Sequence, residues 1–169
     1  RDDSNKKQKF QSYRKSDTKF RGLIGSGSSG QTSYNNISLY FITGKWGFGL
    51  SNFTLETTSS RGQKFEIQNQ SLDFTYDYME DITLTSFLDD TTLTLGIGII
   101  TSGEIKSSAL SSNSSDASGY RFIGHLGKNF DKWEFLFGYH RIIYSYESNE
   151  SENPSGAGGT MVFGFGIGF

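Results

Sequence analysis

Apolar and small residues alternate most clearly at the end of the sequence, over residues 160–169. Phe163, Phe165, Ile167 and Phe169 alternate there with three glycines. Successive side chains of a strand point to opposite faces, so this segment predicts a strand with one aromatic face and one nearly bare face. A soluble sheet would need polar side chains on its outer face, and glycine offers none. The pattern is typical of a transmembrane β-barrel, with apolar residues toward lipid and small residues toward the interior.

The same alternation recurs along the chain and divides it into eight predicted strands. They cover residues 19–28, 32–42, 45–57, 64–79, 91–103, 118–127, 132–147 and 158–169. Each is long enough for a tilted membrane strand, which needs about 9–11 residues. The predicted fold is all-β: a transmembrane antiparallel up-and-down β-barrel of eight strands at residues 19–169, preceded by a basic tail at residues 1–18.

Short and long connectors alternate between the predicted strands. Tight turns are expected around Gly44 and at residues 128–131. Longer polar connectors cover residues 58–63, 104–117 and 148–157. Outer-membrane barrels have short periplasmic turns and long external loops, so both chain termini are expected in the periplasm. The connector at residues 80–90 is too long for this rule and contains a further alternating segment.

Trp46 and Trp133 occupy equivalent places, each following a connector on the expected periplasmic side. Tryptophan is enriched at membrane interfaces, where it forms part of an aromatic girdle. The two residues are therefore predicted to be an interface girdle, the alternative being two ordinary core tryptophans.

The phase of each strand predicts which charged side chains face the lumen. The predicted lumen polar network is Asp73, Asp77, Arg121, His125, Glu134 and His140. An eight-stranded barrel has an interior just wide enough to be filled by side chains, and buried charges need partners. We therefore expect a satisfied network of ion pairs and hydrogen bonds rather than a reactive site.

Two predicted strands contain residues that do not fit the alternation of lipid-facing and inward positions. Arg141 falls on the lipid face of the seventh strand, which is costly unless it lies near an interface. In the third strand, Phe53 and Leu55 are out of phase with the residues before them, which predicts a β-bulge near Ser51 and Asn52.

Composition agrees with a strand-built membrane protein. The 169 residues include 21 Gly and 15 Phe but no Cys, and the mean hydropathy is −0.48. No run approaches the roughly 18 apolar residues of a membrane helix. With no thiolate, two histidines and no calcium-loop spacing, no metal and no cofactor are expected.

The start of the chain is basic. Residues 1–22 contain eight basic and three acidic residues, against eight and fifteen in the remainder. Such an arm can meet anionic lipid headgroups or an acidic protein partner, whereas nucleic acid is not an expected partner. The alternative is a disordered leader.

The terminal strand resembles that of Gram-negative outer-membrane β-barrels, which end on Phe after alternating apolar residues. The match is carried by Phe163, Phe165, Ile167 and Phe169. The strand series as a whole is similar to the small eight-stranded class of the OmpA membrane domain and OmpX. The resemblance implies a bacterial outer-membrane location, outer-membrane lipid and lipopolysaccharide as surroundings, and recognition of the last strand by the barrel-assembly machinery.

Two patterns resemble catalytic or nucleotide-binding motifs. Residues 25–32 approach a phosphate-binding loop but have Gln31 in place of the lysine, and are expected to be a flexible outer hairpin loop. His140, Ser145 and Glu147 resemble the His/Ser/Glu set of PagL-type lipid A deacylases. An odd spacing places His140 and Ser145 on opposite faces unless a bulge intervenes, and a nucleophile needs its base within reach.

The function predicted is therefore non-catalytic: a structural barrel, a surface-interaction module or a subunit of an outer-membrane complex with a protein partner. A narrow channel for ions or small solutes and a lipid A-modifying enzyme are the alternatives.

Overall fold

In the computed structural model, eight antiparallel strands close into a barrel. The structure describes residues 18–58, 62, 64–79, 90–107, 116–130, 132–147 and 155–169, of which residues 79, 107, 116, 146 and 147 are described by backbone alone. The strands are β1 (Thr18–Ser29), β2 (Thr32–Thr43), β3 (Trp46–Thr58), β4 (Lys64–Met79), β5 (Thr91–Ser107), β6 (Asp116–Phe130), β7 (Trp133–Glu147) and β8 (Ser155–Gly168). Each strand pairs with its neighbour in sequence, and β8 pairs with β1. The predicted all-β, eight-stranded antiparallel barrel is confirmed.

The strand ends differ from the predicted ones mainly at turns. β1 continues through Ser29, so the expected flexible loop at residues 25–32 is wrong, and the β1–β2 connection is only two residues long. Gly30 and Gly44 lie in the β1–β2 and β2–β3 hairpin turns with φ near +60°, a conformation that costs glycine little. β6 reaches Phe130, and β1 already includes Thr18. Residues 1–17 of the predicted tail and the ambiguous segment at residues 80–89 lie outside the described residues.

We call the end of the barrel that holds Thr18 and Phe169 the terminal end, and the opposite end the loop end. Next to the terminal end, the outer surface is an apolar belt contributed by all eight strands. Its exposed members include Phe20, Ile24, Ile37, Leu39, Phe41, Trp46, Phe48, Leu50, Leu72, Phe74, Leu95, Ile97, Ile99, Phe122, Leu126, Phe135, Phe137, Phe163 and Phe165. An outward apolar band is the lipid-facing surface of a transmembrane barrel. Within the described residues, no helix has the length and hydropathy to cross a membrane.

Nearer the loop end, the apolar residues change from outward to inward positions, although the alternation of inward and outward positions continues unbroken. On β3, Phe48 and Leu50 point outward, but two residues further on the outward position is Asn52. The inward positions change in the opposite sense, since buried Ser51 is followed by buried Phe53. On β3 the loop-end part is therefore built like a soluble barrel, with apolar residues inside and polar residues outside.

The bulge predicted in β3 is wrong, because this reversal explains the same residues. Ser51 pairs with Ser38 and Ser71, and Asn52 pairs with Ile37 and Gln70, in uninterrupted register. The register shifts instead lie between β4 and β5, at Gln70/Ser71 and at Asp77/Met79. A regular strand that leaves the membrane exchanges lipid for water on its outer face, so its hydrophobic residues change face while the backbone continues.

Two apolar clusters occupy the interior. The loop-end plug consists of Tyr34, Phe53, Leu55, Ile67, Ile100, Ile142 and Tyr144. The second cluster lies nearer the terminal end and consists of Leu23, Tyr40, Ile42, Ile123, Leu136 and Val162. Polar side chains fill the remaining interior, and they form the candidate site.

Candidate functional site

Arg21 is the centre of a charged group at the terminal end of the lumen. Its Nε donates to Glu134 Oε2 at 2.7 Å and its Nη2 to Glu134 Oε1 at 2.8 Å. Its Nη1 and Nη2 also donate to the two carboxylate oxygens of Asp77, each at 2.8 Å. Thr94 Oγ1 accepts from Arg21 at 3.1 Å and donates to Asp77 at 2.7 Å. We call Arg21, Asp77, Thr94 and Glu134 the Arg21 clamp, in which one buried cation binds two carboxylates through paired hydrogen bonds.

Arg21 is a site residue that the sequence reasoning missed. In the sequence, Arg21 belongs to the basic start of the chain, and the predicted lumen polar network does not include the first strand. The alternation of Phe20, Arg21, Gly22, Leu23 and Ile24 holds the necessary signal. Phe20 and Ile24 are exposed and Arg21 and Leu23 are buried, so the arginine shares the inward phase.

Arg121 on β6 organises the middle of the lumen. Its Nη2 donates to Asn36 Oδ1 at 2.7 Å and to Ser38 Oγ at 3.0 Å. Its Nη1 lies 3.6 Å from Asp73 Oδ2. None of its side-chain surface is exposed. Burial of an arginine at this depth requires such compensation, because an uncompensated charge is strongly destabilising.

Asp73 on β4 accepts three hydrogen bonds from hydroxyl groups near Arg121. Tyr40 Oη donates to Oδ2 at 2.8 Å, Ser71 Oγ donates to Oδ1 at 2.8 Å, and the Ser51 hydroxyl donates to Oδ2 as well. The carboxylate is thus bound by three hydroxyl groups and one guanidinium. Such a saturated carboxylate is a structural acceptor, with little capacity left for an additional ligand.

His125 and His140 contact each other through their Nε2 atoms in the same layer. His140 Nδ1 accepts from the Arg121 guanidinium and from Asn36 Nδ2, the latter at 3.2 Å. Because both partners at Nδ1 are donors, the His140 proton belongs on Nε2 and is donated to His125. The His125 proton is then on Nδ1, which is buried and has no hydrogen-bond partner.

This arrangement does not fit metal binding. The facing imidazole nitrogens already bind each other, and a guanidinium occupies the other side of His140. Within the described residues, no group of three or more His, Cys, Asp or Glu side chains could hold a metal ion.

All six residues of the predicted lumen polar network point inward and are buried. They fall into two hydrogen-bonded groups. Asp77 and Glu134 belong to the Arg21 clamp; Asp73, Arg121, His125 and His140 form the middle group. The sequence reasoning gave the inward faces of these residues but not this division into two layers.

The deacylase-like set does not assemble. β7 pairs without interruption with both neighbours from His140 to Ser145, so no bulge brings the two side chains to one face. His140 is bound to Arg121, Asn36 and His125 instead. Of Glu147 only the backbone is described. A histidine held by these partners cannot act as the base for Ser145.

The girdle and assembly-signal residues lie on the outer surface. Trp46 and Trp133 are exposed at the first positions of β3 and β7, both at the terminal end. Trp46 packs on Tyr76 with ring centroids 4.6 Å apart. In β8, Phe163 and Phe165 point outward and Ile167 is partly exposed, and Phe169, directly after β8, is exposed as well.

The crystal structure of neisserial surface protein A (NspA) has a similar fold. The TM-score is 0.60 at 12% sequence identity, and the match covers 90% of this chain and 96% of that chain. No family model and no curated protein matches the sequence. At this identity the likeness shows the fold alone, and it agrees with the eight-stranded architecture expected from the sequence.

Proposed function

We propose that this protein is an outer-membrane β-barrel with a closed lumen and a non-catalytic role, as a structural barrel, a surface-interaction module or a subunit of a larger envelope complex. The complete burial of lumen side chains from several strands carries the proposal. Arg121, Leu136 and Thr160 have 0% of their surface exposed, although they come from three different strands. Side chains beside a water-filled passage would be partly accessible, so a filled interior favours a closed barrel over a channel.

The outer surface supports the membrane location. An aromatic and aliphatic belt of this extent on a monomeric soluble barrel would be an aggregation hazard, whereas in a bilayer it is the contact with lipid. The name of the similar protein, a surface protein, agrees with this location. In the resulting orientation the terminal end and both chain termini are periplasmic, and the loop end is external.

The proposed partners follow from this location. Lipid and lipopolysaccharide surround the belt. The barrel-assembly machinery recognises the last strand through Phe163, Phe165, Ile167 and Phe169, and the polar loop end is available to a protein partner.

Two measurements on the same refolded sample test the proposal. The protein is folded into detergent and run on SDS gels with and without boiling, and is then inserted into planar bilayers for conductance recording. We expect a heat-dependent change in migration and no discrete conductance steps, with a general porin as the positive control for insertion. Stepwise conductance would favour the channel. A protein that keeps its β-structure in plain buffer, without a migration shift, would contradict the membrane location.

A further inference from the structure

Arg141 on β7 is an isolated cation within the apolar outer surface. Along its own strand it lies between Tyr139 and Ile143, which are both exposed. Across the sheet it pairs with exposed Phe122 on β6 and with Gly159 on β8. None of these residues can neutralise a guanidinium, and Arg141 forms no ion pair with any residue that the structure describes.

The apolar surface continues past Arg141 toward the loop end. Ile143 pairs with Tyr120, and both are exposed. Arg141 is therefore not simply the first polar residue above the belt, as Asn52 is on β3. An unpaired arginine among lipid-facing side chains is unfavourable, and the cost falls only near the interface or where an anion is supplied.

A second donor lies beside Arg141. Gly159 is the residue directly opposite Arg141 on β8, and the Tyr139 side chain leans across so that its hydroxyl lies over this glycine. A methyl group at position 159 would collide with that hydroxyl. The absence of a side chain at Gly159 thus allows the Tyr139 hydroxyl to approach the strand position that Arg141 faces.

We propose that Arg141 and Tyr139 form a binding site for the phosphate of an outer-leaflet lipid, of the kind that lipid A carries. The inference rests on the membrane orientation given under the proposed function. A guanidinium binds phosphate oxygens through charge-assisted, often bidentate hydrogen bonds, and a phenol adds a neutral donor. A lipid is the occupant because its acyl chains lie against the apolar neighbours of Arg141 while its phosphate lies at the interface.

The site is tested by counting lipid bound to the intact refolded chain. Native mass spectrometry in detergent compares adducts of lipid A carrying its phosphates with adducts of fully dephosphorylated lipid A. The variants are Arg141→Gln, Arg141→Lys, Tyr139→Phe and Gly159→Ala. The matched control is Lys106→Gln, which removes an outward positive charge from a residue paired with Glu104 at 3.6 Å. Heat-modifiable migration of every variant verifies that the barrel is folded.

We expect Arg141→Gln to weaken binding of phosphorylated lipid A about tenfold, the size of losing one charged hydrogen bond. Arg141→Lys should retain part of the binding, Tyr139→Phe and Gly159→Ala should each reduce it, and Lys106→Gln should leave it unchanged. Removing the phosphates from lipid A should weaken its binding to wild type at least as much as Arg141→Gln weakens the binding of phosphorylated lipid A.

Three results would overturn the assignment. Equal binding by wild type and Arg141→Gln would remove the site, and displacement of lipid by excess inorganic phosphate would make it a general anion site. Both leave the barrel itself intact. Failure of wild type to insert into phosphatidylcholine vesicles would instead contradict the proposed function and the lipid site together.

Discussion

Arg21 and Glu134 are 113 positions apart in the sequence and are joined by two hydrogen bonds of 2.7 and 2.8 Å. They come from β1 and β7, the two strands on either side of β8. Space for the pair is left by Gly166 on β8, where an added Cβ would lie 2.8 Å from Glu134 Oε2. The bare face of the terminal strand thus makes room for large charged side chains from its neighbours.

Replacing Arg21 with methionine should destabilise the barrel by about 3–5 kcal/mol, because Asp77 and Glu134 would remain buried without their cation. Adding Asp77→Asn and Glu134→Gln to Arg21→Met should recover part of the loss, since those changes remove the uncompensated charges. Urea unfolding in phosphatidylcholine vesicles, followed by tryptophan fluorescence, measures the free energy of unfolding. A single variant as stable as wild type would show that the clamp contributes no net stability.

Phe53 and Phe48 provide a matched pair on β3, since one is 1% and the other 54% exposed. Phe53→Ala should reduce the free energy of unfolding by about 3–5 kcal/mol, because it leaves a cavity in the loop-end plug beside Tyr34. Phe48→Ala should cost less, since lipid can fill the space. The same vesicle unfolding assay ranks the two variants, and the reverse ranking would indicate that β3 has the shifted phase of a bulge.

The strands could be predicted from the sequence because alternation is a local property. It can be recognised within one segment without knowing which segments pair with it. β4 begins and ends at the predicted residues, and the inward phases of β4, β6 and β7 follow directly from their patterns. Phe53 and Leu55 were misassigned because hydrophobicity was equated with facing lipid along the whole strand. That equation fails once a strand rises above the bilayer, where the apolar face turns inward.

The pairing within the lumen could not be predicted from single strands. Which carboxylate meets Arg21 and which meets Arg121 depends on the register around the closed barrel. The strand bounds predicted for β1 and β2 already leave a short turn, whereas the expected loop at residues 25–32 rested on a Gly- and Ser-rich composition that is typical of loops. In β1, glycine and serine are tolerated within the strand because β2 pairs along its whole length and β8 pairs as far as Ser26.

The change of sidedness on β2 predicts where a charge is tolerated. Leu39 lies within the apolar belt, whereas Asn35 is the first polar outward residue above it. Leu39→Arg should reduce the free energy of unfolding in vesicles by about 2–4 kcal/mol, and Asn35→Arg by about 0–1 kcal/mol, because the cost of an outward arginine falls from the bilayer midplane to the interface. Equal costs at the two positions would be inconsistent with a membrane boundary between them.

Trp46 and Trp133 should report the same interface from two sides of the barrel. Both are exposed at the terminal end, and interfacial tryptophans lie at the depth of the lipid headgroups. Two single-tryptophan proteins, Trp46→Phe and Trp133→Phe, are inserted into phosphatidylcholine vesicles that contain lipids brominated at different acyl-chain depths. Shallow bromines should quench each remaining tryptophan more strongly than bromines near the bilayer centre.

As a control for depth, Phe48→Trp in a background lacking both native tryptophans should be quenched best by deeper bromines. Different depth profiles for Trp46 and Trp133 would show that the two residues do not belong to one girdle.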